Sequence, residues 1–153
     1  MDLSDLIARE AVISPLKAAS KKQAIQTLAG RASDLTGFDA RDVFDTLLER
    51  EKLGSTGIGR GVAIPHAKAD VPGVRGVLFQ LCEPVDFDAV DDRPVDLAFL
   101  LLAPEGDDAG HLKALSRVAR RLRSERTQAA LRGARSAEAL YAVVAGEEAA
   151  EAA

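Results

Sequence analysis

The sequence predicts a single α/β domain, and three observations lead to that prediction. The chain has 153 residues, which suits one domain with one hydrophobic core. Residues 95–103 are almost continuously apolar, which is typical of a central strand covered on both faces. Segments with helical spacing of apolar residues precede and follow this strand, so we expect helices to cover the sheet.

Two amphipathic helices are predicted before residue 54. Ser20 and Gln23 form a capping-box pattern for the first helix, which we expect to end at Gly37. Asp39 is expected to cap the second helix, which ends ahead of Gly54. Apolar residues recur at helical spacing in both, at Ala24, Ile25, Leu28, Ala29, Ala32 and Leu35 and then at Val43, Phe44, Leu47 and Leu48.

The middle of the chain carries two further strand signals. Residues 62–64 and 74–81 have the apolar character of strands, and residues 84–94 form a polar, turn-rich connection to the central strand. The first 19 residues are ambiguous, because Leu3, Leu6 and Ile7 suggest a helical turn and residues 11–13 suggest a strand.

Three helices are predicted after the central strand. The first opens at His111, a short one covers residues 127–131, and Ser136 caps the last. We expect one domain over residues 1–146 and an acidic, disordered tail over residues 147–153. The basic side chains of the first of these helices lie mostly away from its apolar stripe, on an expected solvated face: Lys113, Arg117, Arg120, Arg121 and Arg123.

Composition disfavours several classes of protein. The net charge of −4 and the presence of only six aromatic residues argue against a nucleic-acid partner. The N-terminus lacks a signal-peptide pattern, and no apolar run approaches the length of a membrane helix. We therefore expect a cytoplasmic protein without membrane insertion. The single cysteine, Cys82, excludes an internal disulfide, and its apolar surroundings predict a buried structural thiol.

Residues 50–68 are the most distinctive stretch, because a loop with four glycines leads to a histidine. Pro65 favours an extended conformation at Ile64, so His66 is expected at a strand end. A histidine after a turn is more often a surface or capping residue. His66 and His111 are, however, the only histidines of the chain, so any imidazole chemistry must use them.

Two other residues depart from the simple apolar patterns. Arg50 lies on the apolar stripe of the second helix, so either an acidic residue pairs with it or the site binds an anion. His111 stands four residues before Leu115, on the inward face of a first helical turn. If Arg50, His66 and His111 share one pocket, two imidazoles and a guanidinium suit the transient capture of a phosphoryl group.

Other chemistries fit these residues less well. A metal site is disfavoured, because the two histidines and Asp70 form no tight cluster and no HExxH spacing. Gly54 and Gly59 have the spacing of P-loop glycines, but Arg60 and Gly61 replace the required Lys-Ser/Thr. We interpret these glycines as turn formers. Neither histidine belongs to a recognisable nucleophile elbow, which disfavours a hydrolase.

Residues 50–68, 94–97 and 111–116 closely resemble the mannitol/fructose-type IIA proteins of the bacterial phosphoenolpyruvate-dependent phosphotransferase system. The nitrogen-regulatory branch is the most similar. The specific signature is Leu-Gly-Ser-Thr-Gly-Ile-Gly followed by Ile-Pro-His, and the match runs through almost the whole chain. The resemblance implies a three-layer α/β/α sandwich around a small mixed β-sheet.

The resemblance also implies roles for site residues. His66 matches the histidine that accepts phosphate from a small HPr-like carrier, here of the NPr type. His111 matches the second active-site histidine, which helps to hold the phosphoryl group, and Arg50 matches the pocket arginine. No metal or other cofactor is implied. Arg60 and Val62 differ from residues common in the family loop and are not expected to touch the chemistry.

The resemblance implies a cytoplasmic regulatory phosphocarrier whose phosphorylation state signals to targets such as potassium-transport or sensor proteins. One alternative is a sugar-specific IIA component that hands phosphate to a IIB domain in fructose or mannitol uptake. Another is a non-catalytic protein-binding module, in which the histidines act only in partner recognition.

Overall fold

The computed structural model describes residues 3–152, which form a six-stranded mixed sheet with five α-helices. A 3-10 turn, Leu3–Asp5, precedes the first strand. The strands are β1 (Ile7–Leu16), β2 (Gly57–Gly59), β3 (Val62–Ala63), β4 (His66–Ala69), β5 (Arg75–Val85) and β6 (Val95–Pro104). The helices are α1 (Lys21–Thr36), α2 (Ala40–Leu53), α3 (Asp108–Arg123), α4 (Glu125–Gly133) and α5 (Ala137–Ala152).

Strand β6 is the centre of the sheet, as its apolar sequence predicts. It pairs antiparallel with β5 and parallel with β3 and β4, while β1 pairs parallel with β5 and β2 antiparallel with β3. Every residue from Leu97 to Ala103 is buried. Because successive strand residues point to opposite faces, both faces of β6 are covered.

Helices α1 and α2 begin and end at the predicted residues. The Ser20 side chain accepts the N–H of Gln23, and the Asp39 carboxylate accepts the N–H of Arg41. Gly37 ends α1 with a φ of 82°, a left-handed conformation that glycine adopts without steric cost. The two helices pack on each other, and the predicted stripes are buried except for Leu35, Phe44 and Leu48.

The first strands differ in detail from the sequence prediction. The ambiguous N-terminus contains both a short turn and a strand, β1.

The prediction of a buried Cys82 is wrong, because the thiol is exposed. Strand β5 continues past the buried Leu81 as far as Val85, so the next side chain, Cys82, points to the opposite and uncovered side.

The C-terminal helices also correct one expectation. Arg121 is buried, although we placed it on a solvated face of α3. Its guanidinium donates to the Thr127 hydroxyl at 3.3 Å and to the Val143 carbonyl at 3.0 Å, which joins α3 to α4 and α5. Helix α4 is longer than predicted, and α5 continues past residue 146, so the predicted end of the domain stays a prediction.

Bilayer-spanning helices are absent from residues 3–152, since none of the helices there combines sufficient length with sufficient apolar character.

Candidate active site

The glycine loop places His66 beside the sheet. Helix α2 ends at Gly54, and strands β2 and β3 form a hairpin whose turn residues, Gly59, Arg60 and Gly61, all have positive φ. The chain then enters β4 at His66, which pairs with Leu101 of β6. The predicted position at a strand end is correct, but the strand is β4, which begins there.

The His66 ring is held through both of its nitrogens. Nδ1 lies 2.8 Å from the carbonyl oxygen of Ile64, and Nε2 lies 3.2 Å from Nε of Arg50. Guanidinium nitrogens only donate, so Nε2 accepts and carries the lone pair. Nδ1 therefore carries the proton and donates it to Ile64. This arrangement selects the tautomer with a nucleophilic Nε2.

Arg50 has no acidic partner in the described part of the chain. Its Nη1 donates to the Gly54 carbonyl at 2.9 Å, and its Nε donates to His66. Among residues 3–152, no carboxylate forms an ion pair with it. Of the two alternatives that the sequence left open, pairing with an acidic residue is therefore not observed, and an anion site is favoured.

His111 faces His66 from the first turn of α3. The two ring centroids are 5.6 Å apart, with an angle of 72° between the ring planes. Nε2 of His111 is buried and makes no hydrogen bond with any of the described residues. A buried polar atom without a partner is costly, so this nitrogen has the capacity to bind an incoming polar group.

The pKa values of both histidines are lowered. Burial is the largest cause of the lowered pKa of His66. The hydrogen bond to Ile64 raises this pKa, the positive charge of Arg50 lowers it further, and the negative charge of Glu51 raises it. Burial is also the first cause of the lowered pKa of His111; repulsion from His66 in its protonated form and from Lys68 lowers this pKa further, and the Asp107 charge opposes the shift. Both imidazoles are therefore neutral at pH 7, the form in which a ring nitrogen is nucleophilic.

The three predicted site residues line one hollow of about 340 Å³ between α2, β4 and α3. The positive charges at this hollow come from Arg50 and from Lys68, which pairs with Asp108. The predicted convergence of Arg50, His66 and His111 is therefore observed. The hollow is lined by Thr46, Glu49, Arg50, Leu53, His66, Ala67, Lys68 and His111.

A buried carboxylate beneath the glycine loop was missed by the sequence analysis. Glu51 is only 7% exposed and binds Lys21 and Thr56. The available signal was its spacing, because Glu51 stands four residues after Leu47 and so lies on the same helix face as the buried stripe.

Metal ligands are not grouped in this region. Within residues 3–152, no three His, Cys, Asp or Glu side chains are arranged to hold a metal ion.

The fold and the paired histidines define a class of protein. The family of EIIA 2 domains of the phosphoenolpyruvate-dependent sugar phosphotransferase system matches residues 5–146, and the chain belongs to it. A nitrogen regulatory protein of Bradyrhizobium diazoefficiens is 52% identical over 146 residues, which is 95% of each chain. The crystal structure of nitrogen regulatory protein IIA-Ntr from Neisseria meningitidis has a TM-score of 0.87 and 34% identity, covering 93% of this chain and 98% of that one. Within the family, the chain belongs to the nitrogen-regulatory IIA proteins.

A sugar-specific relative is similar to a smaller degree. The fructose-specific EIIA component of Haloferax volcanii is 38% identical over 146 residues, covering 94% of this chain and 95% of that one. The nitrogen-regulatory assignment and the α/β fold predicted from the sequence are confirmed, and the sugar-uptake alternative is the less supported one.

Proposed function

We propose that this chain is a phosphoryl carrier of the nitrogen-regulatory phosphotransferase system, and that it accepts the phosphoryl group on Nε2 of His66. One observation above all supports this proposal: the lone pair of Nε2 lies in a hollow beside Arg50 and His111, while Nδ1 is tied to a backbone carbonyl. The donor is an HPr-like carrier of the NPr type, and the exchange takes place in the cytoplasm.

The transfer runs between two imidazoles. The Nε2 lone pair of His66 attacks phosphorus, and a new N–P bond forms as the N–P bond of the donor breaks. The electron pair of the broken bond returns to the donor nitrogen, and Nδ1 of His66 keeps its proton. Arg50 turns its guanidinium from Nε2 to the phosphoryl oxygens, where its planar fork neutralises their charge. Positioning therefore supplies most of the catalysis.

Phosphorylation changes the surface that partners meet. Two large apolar side chains are exposed: Leu53, which lines the hollow, at 86%, and Leu112, which follows His111 in α3, at 66%. A phosphoryl group adds up to about two negative charges beside them, which favours some protein partners and repels others. We propose that regulatory targets, such as potassium-transport or sensor proteins, read this difference.

Labelling with radioactive phosphoenolpyruvate in the presence of the upstream phosphotransferase proteins tests the proposal. The wild-type chain is expected to take up label in an acid-labile linkage, and His66→Ala is expected to take up none. His111→Ala keeps the acceptor and is expected to label more slowly. Equal labelling of wild type and His66→Ala would overturn the assignment.

The fructose-specific relative makes sugar uptake the second candidate. In that case the phosphorylated chain would pass its label to a IIB domain, and deletion of the gene would abolish growth on fructose or mannitol. A regulatory protein is dispensable for that growth. Loss of partner regulation in His66→Ala, without phosphate ever being detected on the wild type, would instead support a non-catalytic binding module.

A further inference from the structure

A chain of buried polar contacts lies beneath the glycine loop. The Glu51 side chain, 3% exposed, contacts Nζ of Lys21 at 2.7 Å. The backbone N–H of Thr56 donates to the same carboxylate, with distances of 3.2 and 3.3 Å to its two oxygens, and the Thr56 hydroxyl donates to it as well. The buried charge is thus satisfied by an ammonium, an amide and a hydroxyl.

This chain of contacts continues to the reactive ring. The Thr56 carbonyl accepts the N–H of Ile64 at 2.9 Å, and the Ile64 carbonyl accepts the Nδ1 proton of His66 at 2.8 Å. Between them, Pro65 has a fixed φ, and its own carbonyl accepts the N–H of Leu101 at 2.9 Å. Thr56 therefore anchors one end of the Ile64–Pro65 segment and Leu101 the other, and together they fix where the Ile64 carbonyl lies relative to the imidazole.

We propose that Glu51 and Thr56 are positioning residues for phosphoryl transfer at His66, an inference that rests on the proposed function. They hold the Ile64 carbonyl where it keeps the proton on Nδ1 of His66, so that the lone pair stays on Nε2. Neither side chain lines the hollow, so both act through the backbone rather than by touching the phosphoryl group.

Stability alone does not account for a buried carboxylate at this place. Apolar residues of similar volume often replace a buried ion pair without loss of stability, because burial of the charges costs as much as their attraction returns. The charge of Glu51 also acts on the ring directly, since it raises the pKa of His66 against the effects of burial and of Arg50.

Substitutions of Thr56 separate positioning from folding. Thr56→Val keeps the volume and the backbone contacts but removes the hydroxyl that binds Glu51, whereas Thr56→Ser restores a hydroxyl. Thr127→Val is a matched control, because Thr127 is buried like Thr56 and its hydroxyl accepts a hydrogen bond from Arg121 that joins α4 to α3. Each variant is measured for its initial rate of phosphorylation, its unfolding free energy and its histidine ring nitrogen shifts by nitrogen-15 NMR.

The NMR measurement reports the tautomer directly, and the two histidines of the chain make it simple to assign. We expect Thr56→Val to lose phosphorylation rate by about tenfold to a hundredfold and to gain the tautomer protonated on Nε2. Thr56→Ser is expected to be close to wild type. Thr127→Val is expected to lose stability while keeping both the rate and the tautomer of wild type.

A folded Thr56→Val with the rate and ring shifts of wild type would overturn the positioning role. Glu51→Gln is the second variant should Thr56→Val fail to fold, and it is expected to change rate and tautomer in the same directions. Failure of the proposed function has a different signature, since the wild type itself would then take no phosphate at His66. The ring shifts would still show whether Glu51 and Thr56 orient the imidazole.

Discussion

Nε of Arg50 donates a hydrogen bond to Nε2 of His66 at 3.2 Å, so the guanidinium occupies the lone pair that the proposed reaction uses. The bond must break as phosphorus approaches. Because Arg50 has other N–H groups and pairs with no carboxylate among residues 3–152, it can rebind to the phosphoryl oxygens. Under the proposed function, the same side chain would serve both the empty and the phosphorylated site.

Arg50→Ala is expected to slow phosphorylation of His66 by about a hundredfold, because the charge on the phosphoryl oxygens loses its fixed partner. The unfolding free energy should change by no more than about 1 kcal/mol, since only hydrogen bonds at a half-buried position are lost. Initial rates and urea denaturation measure the two effects. Arg41→Ala, at an exposed position of the same helix, is the control. A loss of several kcal/mol in Arg50→Ala would indicate a structural role.

His111→Ala is expected to slow phosphoryl transfer by about tenfold or more and to shorten the lifetime of the phosphorylated state. The physical reason is the buried Nε2 of His111, which hydrogen-bonds to none of the described residues and, under the proposed function, would bind a phosphoryl oxygen. His111→Gln supplies an amide donor and should recover part of the rate. Arg120→Ala, on the exposed side of α3, should behave as wild type, and an equal loss there would argue against a specific contact.

The stability of the protein is expected to increase with pH around the histidine titrations. Both histidine pKa values are lower in the folded state than the ordinary value of about 6.5. Below that value the unfolded chain therefore binds more protons than the folded one. The part of the unfolding free energy that depends on keeping these histidines neutral is fully present above about pH 6.5, and it is lost as the pH falls through the folded-state pKa values.

Urea denaturation between pH 5 and pH 8 measures this dependence, and His66→Gln/His111→Gln removes both groups as a control. The double variant should show a flatter profile in that window. Asp91, whose pKa is lowered by backbone hydrogen bonds from Arg60 and Arg93, contributes only at more acidic pH. An unchanged profile in the double variant would show that other groups cause the dependence.

Two glycines are expected to respond in opposite ways to alanine. A Cβ at Gly30, in the interior of α1, would meet no atom within 4 Å, so Gly30→Ala should stabilise the protein by about 0.5–1 kcal/mol. A Cβ at Gly76 would lie 2.5 Å from a ring carbon of the buried Phe99, so Gly76→Ala should cost about 2 kcal/mol. Thermal or urea denaturation measures both, and a stabilising Gly76→Ala would contradict this packing.

Local signals were sufficient to predict the ends of α1 and α2, whereas α3 begins at Asp108 and not at His111, where we predicted its start. Ser20, Asp39 and Gly37 act at the helix ends where their chemistry predicts, and face counting placed Arg50 and His111 on inward sides. These predictions succeed because caps and helical periodicity depend on residues only a few positions apart. The roles of these side chains in phosphoryl transfer stay predictions.

Features that depend on distant pairing were not predicted. Strand β4 has a single buried residue, Ala67, and forms because β6 pairs with it, so its own four residues carry no strand signal. Glu51 was overlooked because a carboxylate near a helix end is normally solvated, and its burial depends on contacts with Lys21, thirty positions away, and with Thr56. The prediction of a buried Cys82 was wrong for a related reason, because the length of β5 depends on its partner strands.

The backbone hydrogen bond from Nδ1 of His66 has a practical consequence for detecting the modified chain. With that nitrogen engaged by Ile64, the proposed phosphorylation on Nε2 would give the tele isomer of phosphohistidine, not the pros isomer. Antibodies raised against pros-phosphohistidine would overlook it, whereas tele-specific reagents would report directly on how much of this protein is charged in a cell.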